Sequence, residues 1–400
     1  MSQDTFPLRH DFDVQANEDA EHTHRLYGEL RGRCPVAHTA SLGGFWALLR
    51  YDDVAAAAGD SATFTTTVQN VIPKVAFTGR RPPLHLDPPE HTPYRAALNP
   101  LLSAERVAML EPELRHIVRA ALQPLLQRGH GDLCREFSAN YPVQIFGRWA
   151  NLNEALQAQL MTAGPSFIQA VQAFDTSQMR DTSLVLYDMA RALIAERKAR
   201  PLDTAIDPVS ALLATRHDGK ALPDELIVGT VRQVLVVGIV APMIMTGAVG
   251  MHLARDKTLQ RDLRQDPALI PAAVEEFLRL YSPYRGFART PTRDVIIGGC
   301  TIARGEAIAL TYASANRDES MFDSPDEFRL NRPNIGSHLA FGRGPHYCAG
   351  AHLARLELRV AIEELLRGTQ DFDIAGPVLY TPYPEIGPWS VPIKFVPEAN

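Results

Sequence analysis

The chain has 400 residues, of which 46% are hydrophobic and 22% are charged, as in a globular protein with a substantial core. The formal net charge of −6 argues against nucleic-acid binding. Four widely separated cysteines (Cys34, Cys134, Cys300 and Cys348) argue against a disulfide framework and indicate a reducing compartment.

The N-terminal stretch MSQDTFPLRHDFD lacks the apolar core of a signal peptide, so we expect a cytoplasmic protein. No Gly/Ser tract, charge block or repeat marks a linker along the chain. We therefore expect residues 1–400 to form a single domain, and we expect it to be monomeric.

Helical patterns dominate. Apolar residues recur at helical spacing in residues 101–126, 183–198, 226–254, 271–280 and 350–366. Strand patterns are fewer and lie early and late, in residues 45–50, 295–302, 307–312 and 393–396. Together these segments predict a mainly α-helical body with a smaller β region.

The segment 234–254 has no formally charged residue and is long enough to span a bilayer. It also contains three glycines and Pro242, and a helix that is apolar on all sides can equally be the central helix of a large core. Both interpretations stay open from the sequence, and we expect the second.

Further along, Glu276 and Arg279 lie three residues apart on a predicted helix, where their side chains can pair. Such pairs are common on solvated surfaces, where they contribute little to stability. The pattern alone therefore does not decide between a surface pair and a buried one.

A glycine-rich loop, Phe341-Gly342-Arg343-Gly344-Pro345-His346-Tyr347-Cys348-Ala349-Gly350, runs into the last predicted helix. A cysteine there lies near helix N-terminal amides, which favour the thiolate, and a buried thiolate is a suitable axial ligand for heme iron. The alternative is a core cysteine without a function.

The spacing Phe-x-x-Gly-x-His-x-Cys-x-Gly, from Phe341 to Gly350, resembles the heme-binding signature of the cytochrome P450 family. This resemblance implies a P450 fold with heme b between the long central helix and the cysteine loop, and Cys348 as the axial ligand of the iron. It also implies that Glu276 and Arg279 form a buried structural clamp with Arg332, a position that matches the usual third member.

Heme carries two propionates, which need cationic or hydrogen-bonding partners when buried. By resemblance to bacterial members of the family, the positions that match propionate contacts are His91, Arg95, Arg289, His338 and His346.

On the opposite side of the heme, most family members carry a glycine followed two and three residues later by an acid and a threonine. Alignment on Gly238 puts Val240 and Ala241 at those positions, with Pro242 next, so the acid–alcohol pair for proton delivery is absent. Pro242 lacks an N–H and can kink the helix, leaving a carbonyl for a water chain. Thr246, one turn on, is a poor substitute, and the segment can also be packed core.

The resemblance also places the substrate pocket by region, in segments that are mostly apolar or aromatic and carry no convergent charge. Arg80 and Arg81 are expected to face solvent or the heme edge. The predicted pocket residues are Val68, Phe77, Phe167, Phe174, Val237, Tyr284, Phe287 and Ile386.

These features predict a monooxygenase that inserts one oxygen atom of O₂ into an apolar or aromatic small molecule by hydroxylation or dealkylation. No flavin, nicotinamide or iron–sulfur signature is present, so electrons come from a ferredoxin, or from an NAD(P)H-dependent reductase of the type fused to self-sufficient members. Exposed Arg343, Arg355 and Arg359 would suit an acidic ferredoxin or be a merely solvated face. The alternatives are a hydrogen-peroxide-dependent peroxygenase and a non-catalytic heme sensor or carrier.

Overall fold

The structure is a computed structural model that describes residues 10–14, 19–74, 79–285 and 287–397. Within these ranges the α-helices are α1 (Ala20–Arg33), α2 (Tyr51–Gly59), α3 (Thr92–Leu98), α4 (Ala104–Ala108), α5 (Glu111–Arg128), α6 (Tyr141–Trp149), α7 (Glu154–Gln172), α8 (Thr176–Ala199), α9 (Pro208–Ala214), α10 (Asp224–Val237), α11 (Val240–Arg255), α12 (Lys257–Gln265), α13 (Ile270–Leu280), α14 (Tyr312–Ala315) and α15 (Ala351–Arg367). A π-helical segment, Leu133–Ser138, lies between α5 and α6.

The strands are short and lie mainly at the two ends of the chain. They are β1 (Val36–Thr39), β2 (Phe45–Leu48), β3 (Phe64–Thr65), β4 (His130–Asp132), β5 (Arg216–His217), β6 (Lys220–Ala221), β7 (Phe287–Pro291), β8 (Val295–Ile297), β9 (Cys300–Ile302), β10 (Ile308–Leu310), β11 (Thr369–Ile374), β12 (Leu379–Tyr380), β13 (Pro388–Ser390) and β14 (Pro392–Pro397).

The largest sheet has five strands in the order β1-β2-β10-β7-β3, and it is mixed because β10 runs parallel to β2 and antiparallel to β7. A three-stranded sheet has the order β11-β14-β4, and three two-stranded pairs complete the β structure of the described residues. Residues on β7 therefore sit in the interior of the largest sheet, which fixes the direction of Arg289 in the middle of that strand.

The main apolar core lies among the helices. Leu114 and Leu122 of α5, Leu253 of α11, Phe277 of α13 and Val360 of α15 are all buried in it. A second apolar cluster packs α2 against the largest sheet. The expected mainly α-helical body with a smaller β region is thus confirmed.

Two predicted segments differ in detail from the structure. Residues 101–126 are not one helix, because a 3-10 turn and α4 precede α5, whose first turn contains Pro112. Residues 295–302 form a hairpin rather than one strand, since Gly298 and Gly299 turn the chain with φ values of 55° and 79°.

The apolar central segment is divided into α10 and α11. The run from Asp224 to Arg255 is long and apolar enough to cross a membrane, but 72% of its most apolar window is buried inside the protein. Burial on this scale is what a central core helix requires.

Candidate functional site

The loop that carries Cys348 joins a 3-10 turn, Gly344–His346, to α15. The Cys348 backbone N–H donates to the Phe341 carbonyl at 2.9 Å and closes the loop. Gly344 has a φ of 71°, and a Cβ there would lie 2.8 Å from the Gly59 Cα, so only glycine fits this turn.

Cys348 has exposed surface although protein surrounds it. Burial is the largest influence on its thiol and raises the pKa, while the Gly350 N–H, Arg95 and Arg355 act in the opposite direction. A side chain that is accessible and also enclosed lines an internal space. The sulfur therefore faces a space where a flat ligand can reach it, and the nearby cations offset only part of the effect of burial on its pKa.

A group of cationic side chains lies beside this cysteine. His91 Nε2 and the Pro345 carbonyl are 3.0 Å apart, and Arg95 Nη2 donates to the Tyr347 carbonyl at 2.8 Å. The rings of His91 and His346 meet edge to face, with centroids 4.9 Å apart. These contacts attach α3 to the cysteine loop.

Two nitrogen atoms of this group have no partner among the described residues. His91 Nδ1 and Arg289 Nε are buried and unbonded. Burial, and then the neighbouring His346, lower the pKa of His91 to about 4. Because His91 Nε2 faces a carbonyl, it carries the ring hydrogen, and Nδ1 becomes a donor only when the ring is protonated. The unused Arg289 Nε donor and the Arg95 and Arg289 guanidiniums fit a ligand with two carboxylates, as a heme with its propionates would provide.

His346 has one acidic partner in this group. Its Nε2 lies 3.1 Å from Asp87 Oδ1. Burial acts to raise the pKa of Asp87, but hydrogen bonds from His346, Thr65 and Thr66 outweigh it and lower the pKa. A single carboxylate does not neutralise two arginines, so the group keeps an excess of positive charge.

His338 does not join this group. Its Nε2 lies 3.0 Å from Glu275 Oε2, and its Nδ1 accepts the Ala340 N–H at 3.2 Å. Because both ring nitrogens have protein partners, His338 has no free donor for a propionate, and we correct its expected role to that of a partner of Glu275.

Glu276, Arg279 and Arg332 meet in a fully buried ion-pair network. Arg279 donates from Nε and Nη2 to both carboxylate oxygens of Glu276, at 2.8 Å and 2.7 Å, and Arg332 Nε donates to the same carboxylate at 3.0 Å. The remaining guanidinium N–H groups donate to carbonyls of Asn316 and Asp323, among others. The pair is therefore buried, and it ties α13 to the segment that precedes the cysteine loop.

The central helix is interrupted just before Val240 and Ala241, the two positions at which the acid–alcohol pair of most family members is absent. α10 ends at Val237, Gly238 has non-helical dihedral angles, and α11 resumes at Val240. Pro242 has no N–H for the Gly238 carbonyl, which favours the break. Val237 is 50% exposed at this point, so this part of the helix borders an open space.

The side chains at the break carry no proton donor. Val240 and Pro242 are buried and Ala241 is half-buried. Thr246 bonds to the Tyr141 hydroxyl at 2.6 Å within the core. Thr246 therefore faces α6, which leaves it unsuited to the proton-donating role considered for it.

Some of the predicted pocket residues contact one another in the structure, and others do not. The rings of Tyr284 and Phe287 are in contact, with centroids 4.7 Å apart and planes inclined by 51°, and the Ile386 N–H donates to the Pro283 carbonyl at 3.0 Å. Phe167 is buried on α7, Phe174 is half-buried just beyond it, and Val68 is 47% exposed. Phe77 lies outside the described residues.

Three charged residues near the predicted pocket were missed or misplaced by the sequence interpretation. Glu385 is buried opposite Tyr284, although its sequence context is only a Pro- and Gly-rich loop. Arg81 is buried rather than solvent-facing, and only Arg80 is exposed. Arg232 is buried inside α10, where a lone charge in an apolar helix was the available signal.

Comparison with known proteins adds an independent line of information. Residues 185–372 match the family model described as Cytochrome P450. The chain is 32% identical to Cytochrome P450 130 of Mycobacterium tuberculosis, over 93% of this chain and 94% of that protein. It is 30% identical to Cytochrome P450 109 of Bacillus spizizenii, over 85% of this chain and 83% of that protein.

The fold also resembles solved structures. Superposition on the cytochrome P450 CYP109Q5 from Chondromyces apiculatus has a TM-score of 0.87 at 26% identity, and it covers 97% of this chain and 99% of that one. Superposition on CYP101J2 has a TM-score of 0.86 at 26% identity, with 99% of each chain covered.

Proposed function

This chain belongs to the cytochrome P450 family, and from that premise we propose that Cys348 is the iron ligand of a monooxygenase acting on an apolar or aromatic small molecule. The family is one of heme-thiolate monooxygenases, so the chain is an oxidoreductase with heme as its cofactor. The observation that carries the proposal is Cys348 itself, which is enclosed yet accessible beside an unneutralised group of cations.

The residues have distinct roles in this proposal. Cys348 would hold the iron, and His91, Arg95, Arg289 and His346 would bind the propionates. When bound, the heme supplies the iron at which O₂ is activated and one oxygen atom is transferred to the substrate.

The clamp of Glu276, Arg279 and Arg332 keeps the polypeptide behind the heme in one position. Its role is structural, because its atoms are saturated by one another and by backbone carbonyls. Tyr284, Phe287 and Ile386 would form an apolar wall of the pocket that excludes water from the substrate.

Proton delivery in this chain needs a route other than a side-chain acid and alcohol. Val240, Ala241 and Pro242 cannot donate protons, and Thr246 is bonded to Tyr141. The Gly238 carbonyl, for which Pro242 provides no N–H, is available to hold a water molecule. We propose that protons arrive through water at this break.

The electron donor is proposed to be a separate protein, either a ferredoxin or an NAD(P)H-dependent reductase of the fused type. The expected basic face is largely neutralised, since Arg355 pairs with Glu275 at 2.6 Å and Arg359 pairs with Glu111 at 2.5 Å. Arg343 is exposed, so attraction of an acidic donor by this face alone is weak.

We further propose a single-domain monomer in the cytoplasm, without a membrane or nucleic-acid partner. The burial of the apolar run from Asp224 to Arg255 and the acidic net charge support this proposal.

The experiment that tests Cys348 is the spectrum of the reduced, CO-treated protein. Wild type is expected to show the strongly red-shifted Soret band of thiolate ligation, and Cys348→Ser is expected to lose it. Cys300→Ser is the matched control and should keep the band. A wild-type protein without this band would contradict the proposal.

The missing acid–alcohol pair also favours a second candidate, a peroxygenase that takes hydrogen peroxide directly. Product yield with O₂, NAD(P)H and a ferredoxin system is compared with the yield with hydrogen peroxide alone. A monooxygenase gives more product in the first case and a peroxygenase in the second. A heme sensor or carrier gives no oxidised product in either case across a broad substrate panel.

A further inference from the structure

Two arginines are buried together near the predicted substrate pocket. Arg81 follows the segment 70–74 and is 7% exposed, and Arg232 on α10 is 1% exposed. Arg81 lowers the pKa of Arg232, and both arginines lower the pKa of His85, so the three side chains share one neighbourhood. Buried arginines usually face carboxylates, and the contacts of this pair are therefore informative.

The Arg232 guanidinium has only neutral partners among the described residues. Its Nη2 donates to Ser183 Oγ at 2.9 Å, and its Nη1 donates to Gln233 Oε1 at 3.4 Å. Its carbon lies 4.4 Å from the centre of the Phe167 ring. None of these contacts neutralises the charge.

Arg81 also has no charged partner among the described residues. Its Nη2 lies 3.3 Å from His85 Nε2, and His85 Nε2 lies 2.7 Å from Asn70 Oδ1. Across the described part of the chain, no carboxylate forms an ion pair with either arginine. The Nε atoms of Arg81 and Arg232 and the Tyr187 hydroxyl are buried without a hydrogen-bond partner.

The electrostatics of the neighbourhood are uniformly positive. Burial, and then the charge of Arg81, lower the pKa of Arg232 to about 9. Burial, and then Arg81 and Arg232, lower the pKa of His85 to about 3, so this imidazole is neutral. Arg80 and Lys74 lower it further. The neighbourhood therefore holds charge that only an anion can balance.

This group of residues adjoins the predicted pocket. Phe167, which lies under the Arg232 guanidinium, was assigned to the pocket by resemblance. Asn70, which contacts His85, accepts the Ala288 N–H at 2.9 Å, and Ala288 stands between Phe287 of the pocket wall and Arg289 of the cationic group. An anion held here can belong to a molecule that extends toward Cys348.

The backbone that carries Arg81 is fixed against α10. A Cβ at Gly229 would lie 1.9 Å from the Arg80 carbonyl oxygen, so the segment packs on the helix at a distance that only glycine permits. Backbone packing therefore sets the position of the Arg81 main chain relative to α10, and both arginine side chains extend into the same neighbourhood.

We propose that Arg81 and Arg232 bind the carboxylate of an otherwise apolar substrate. The planar guanidinium forks suit a carboxylate, and the rings of Phe167 and Tyr187 suit an apolar body. This inference rests on the proposed function, because it names the substrate class of the same pocket. It replaces the expectation of a pocket without convergent charge.

The test is calorimetric binding to the ferric, heme-loaded protein, which requires no turnover. The probes are two matched pairs, dodecanoate with 1-dodecanol and 4-isopropylbenzoate with 4-isopropylbenzyl alcohol. In at least one pair, wild type should bind the acid at least tenfold more tightly than the alcohol. Arg232→Gln and Arg81→Gln should each remove that preference, with affinity for the alcohol unchanged within about twofold.

Arg191→Gln is the matched control. Arg191 lies on α8 near the same tyrosine, 5.7 Å from the Tyr187 ring centre, but its side chain is 51% exposed and pairs with Asp188. This variant should keep the preference for the acid. A protein that loses the preference in Arg191→Gln and keeps it in the two buried variants would overturn the inference.

Three other results would also overturn it. The first is equal affinity for acid and alcohol in both pairs in wild type. The second is full displacement of the acid by inorganic phosphate, which would indicate a site for small inorganic anions. The third is loss of heme from both Arg81→Gln and Arg232→Gln, which would mean that these arginines hold the cofactor. A normal CO spectrum in wild type without acid preference would refute this inference alone, whereas loss of that spectrum would refute the proposed function.

Discussion

Glu385 is a carboxyl whose surroundings do not supply what its charge requires. It is 3% exposed, and its Oε2 has no hydrogen-bond partner among the described residues. Burial raises its pKa to about 7, while Gln172 and Arg285 act in the opposite direction. The Arg285 guanidinium is directed to backbone carbonyls, and the other titratable neighbours, Tyr284 and Tyr383, are neutral.

This raised pKa predicts how stability changes with pH. The native protein holds the Glu385 proton up to about pH 7, whereas the unfolded chain releases it near its ordinary value of 4.5. The stabilisation is therefore complete below pH 4.5 and is lost as the pH rises to 7, by about 3 kcal/mol. Urea unfolding at pH 5 and pH 8 should show wild type losing about 2.5 kcal/mol relative to Glu385→Gln, because part of the stabilisation is already lost at pH 5. Parallel pH dependences of the two proteins would contradict the prediction.

The clamp permits a second prediction at this scale. Glu276→Gln leaves Arg279 and Arg332 buried without a counter-charge, which should destabilise the protein by about 3–5 kcal/mol. Heme content after purification and the urea midpoint should both fall. Asp188→Asn, which breaks an exposed pair on α8, is the control and should leave both unchanged. A normal heme content with a lower reaction rate would instead indicate a role in the chemistry.

At the residue scale, sequence information was sufficient where the chemistry is local. Cys348 and its glycines are contiguous, so their spacing alone identifies the loop. Arg81 and Arg232 are distant in sequence and meet only because α10 packs on the segment before α3. The sequence did not show the partner of His338, because Glu275 lies on α13, far from His338 along the chain.

At the scale of elements, the division between α10 and α11 is the feature that sequence periodicity did not show. The apolar pattern continues without interruption through Gly238 and Ile239, and only Pro242 indicated a kink. Hydrophobic periodicity reports which side chains are apolar and not which backbone hydrogen bonds form, so it could not show this break.

Restoring that hydrogen bond should repair the helix. In Pro242→Ala the new N–H can donate to the Gly238 carbonyl, and a bond worth about 1 kcal/mol should slow amide exchange around residues 238–243 by about fivefold. Hydrogen exchange followed by mass spectrometry measures this. Pro124→Ala, in the uninterrupted helix α5, is the control and should not affect the same peptides. Unchanged exchange in Pro242→Ala would show that packing, not the proline, sets the break.

At the scale of the whole molecule, the helix content, the small β region and the position of the cysteine loop before the last long helix followed from the sequence. The order of strands in the largest sheet did not, because β2 and β10 pair across most of the chain and their short apolar runs fit several partners. Long-range pairing of this kind is decided by the packed core.

If residues 1–400 fold as one unit around the cofactor, the heme-loaded protein should unfold in one calorimetric transition. Removal of heme should lower its midpoint, because the native state loses a bound ligand and keeps Arg95 and Arg289 without the two propionates as counter-charges. Two separate transitions in the heme-loaded protein would indicate independent domains. An unchanged midpoint without heme would show that the cationic group does not depend on it.

Gly229 has a consequence for how this enzyme can diverge. One methyl group at that position would collide with the Arg80 carbonyl and displace the backbone that carries Arg81. A change at a residue that touches no substrate could therefore abolish recognition of an acid and leave the cysteine loop untouched. Substitutions at this contact between the Arg81 segment and α10 would then change the substrate preference, with no mutation among the residues that line the pocket.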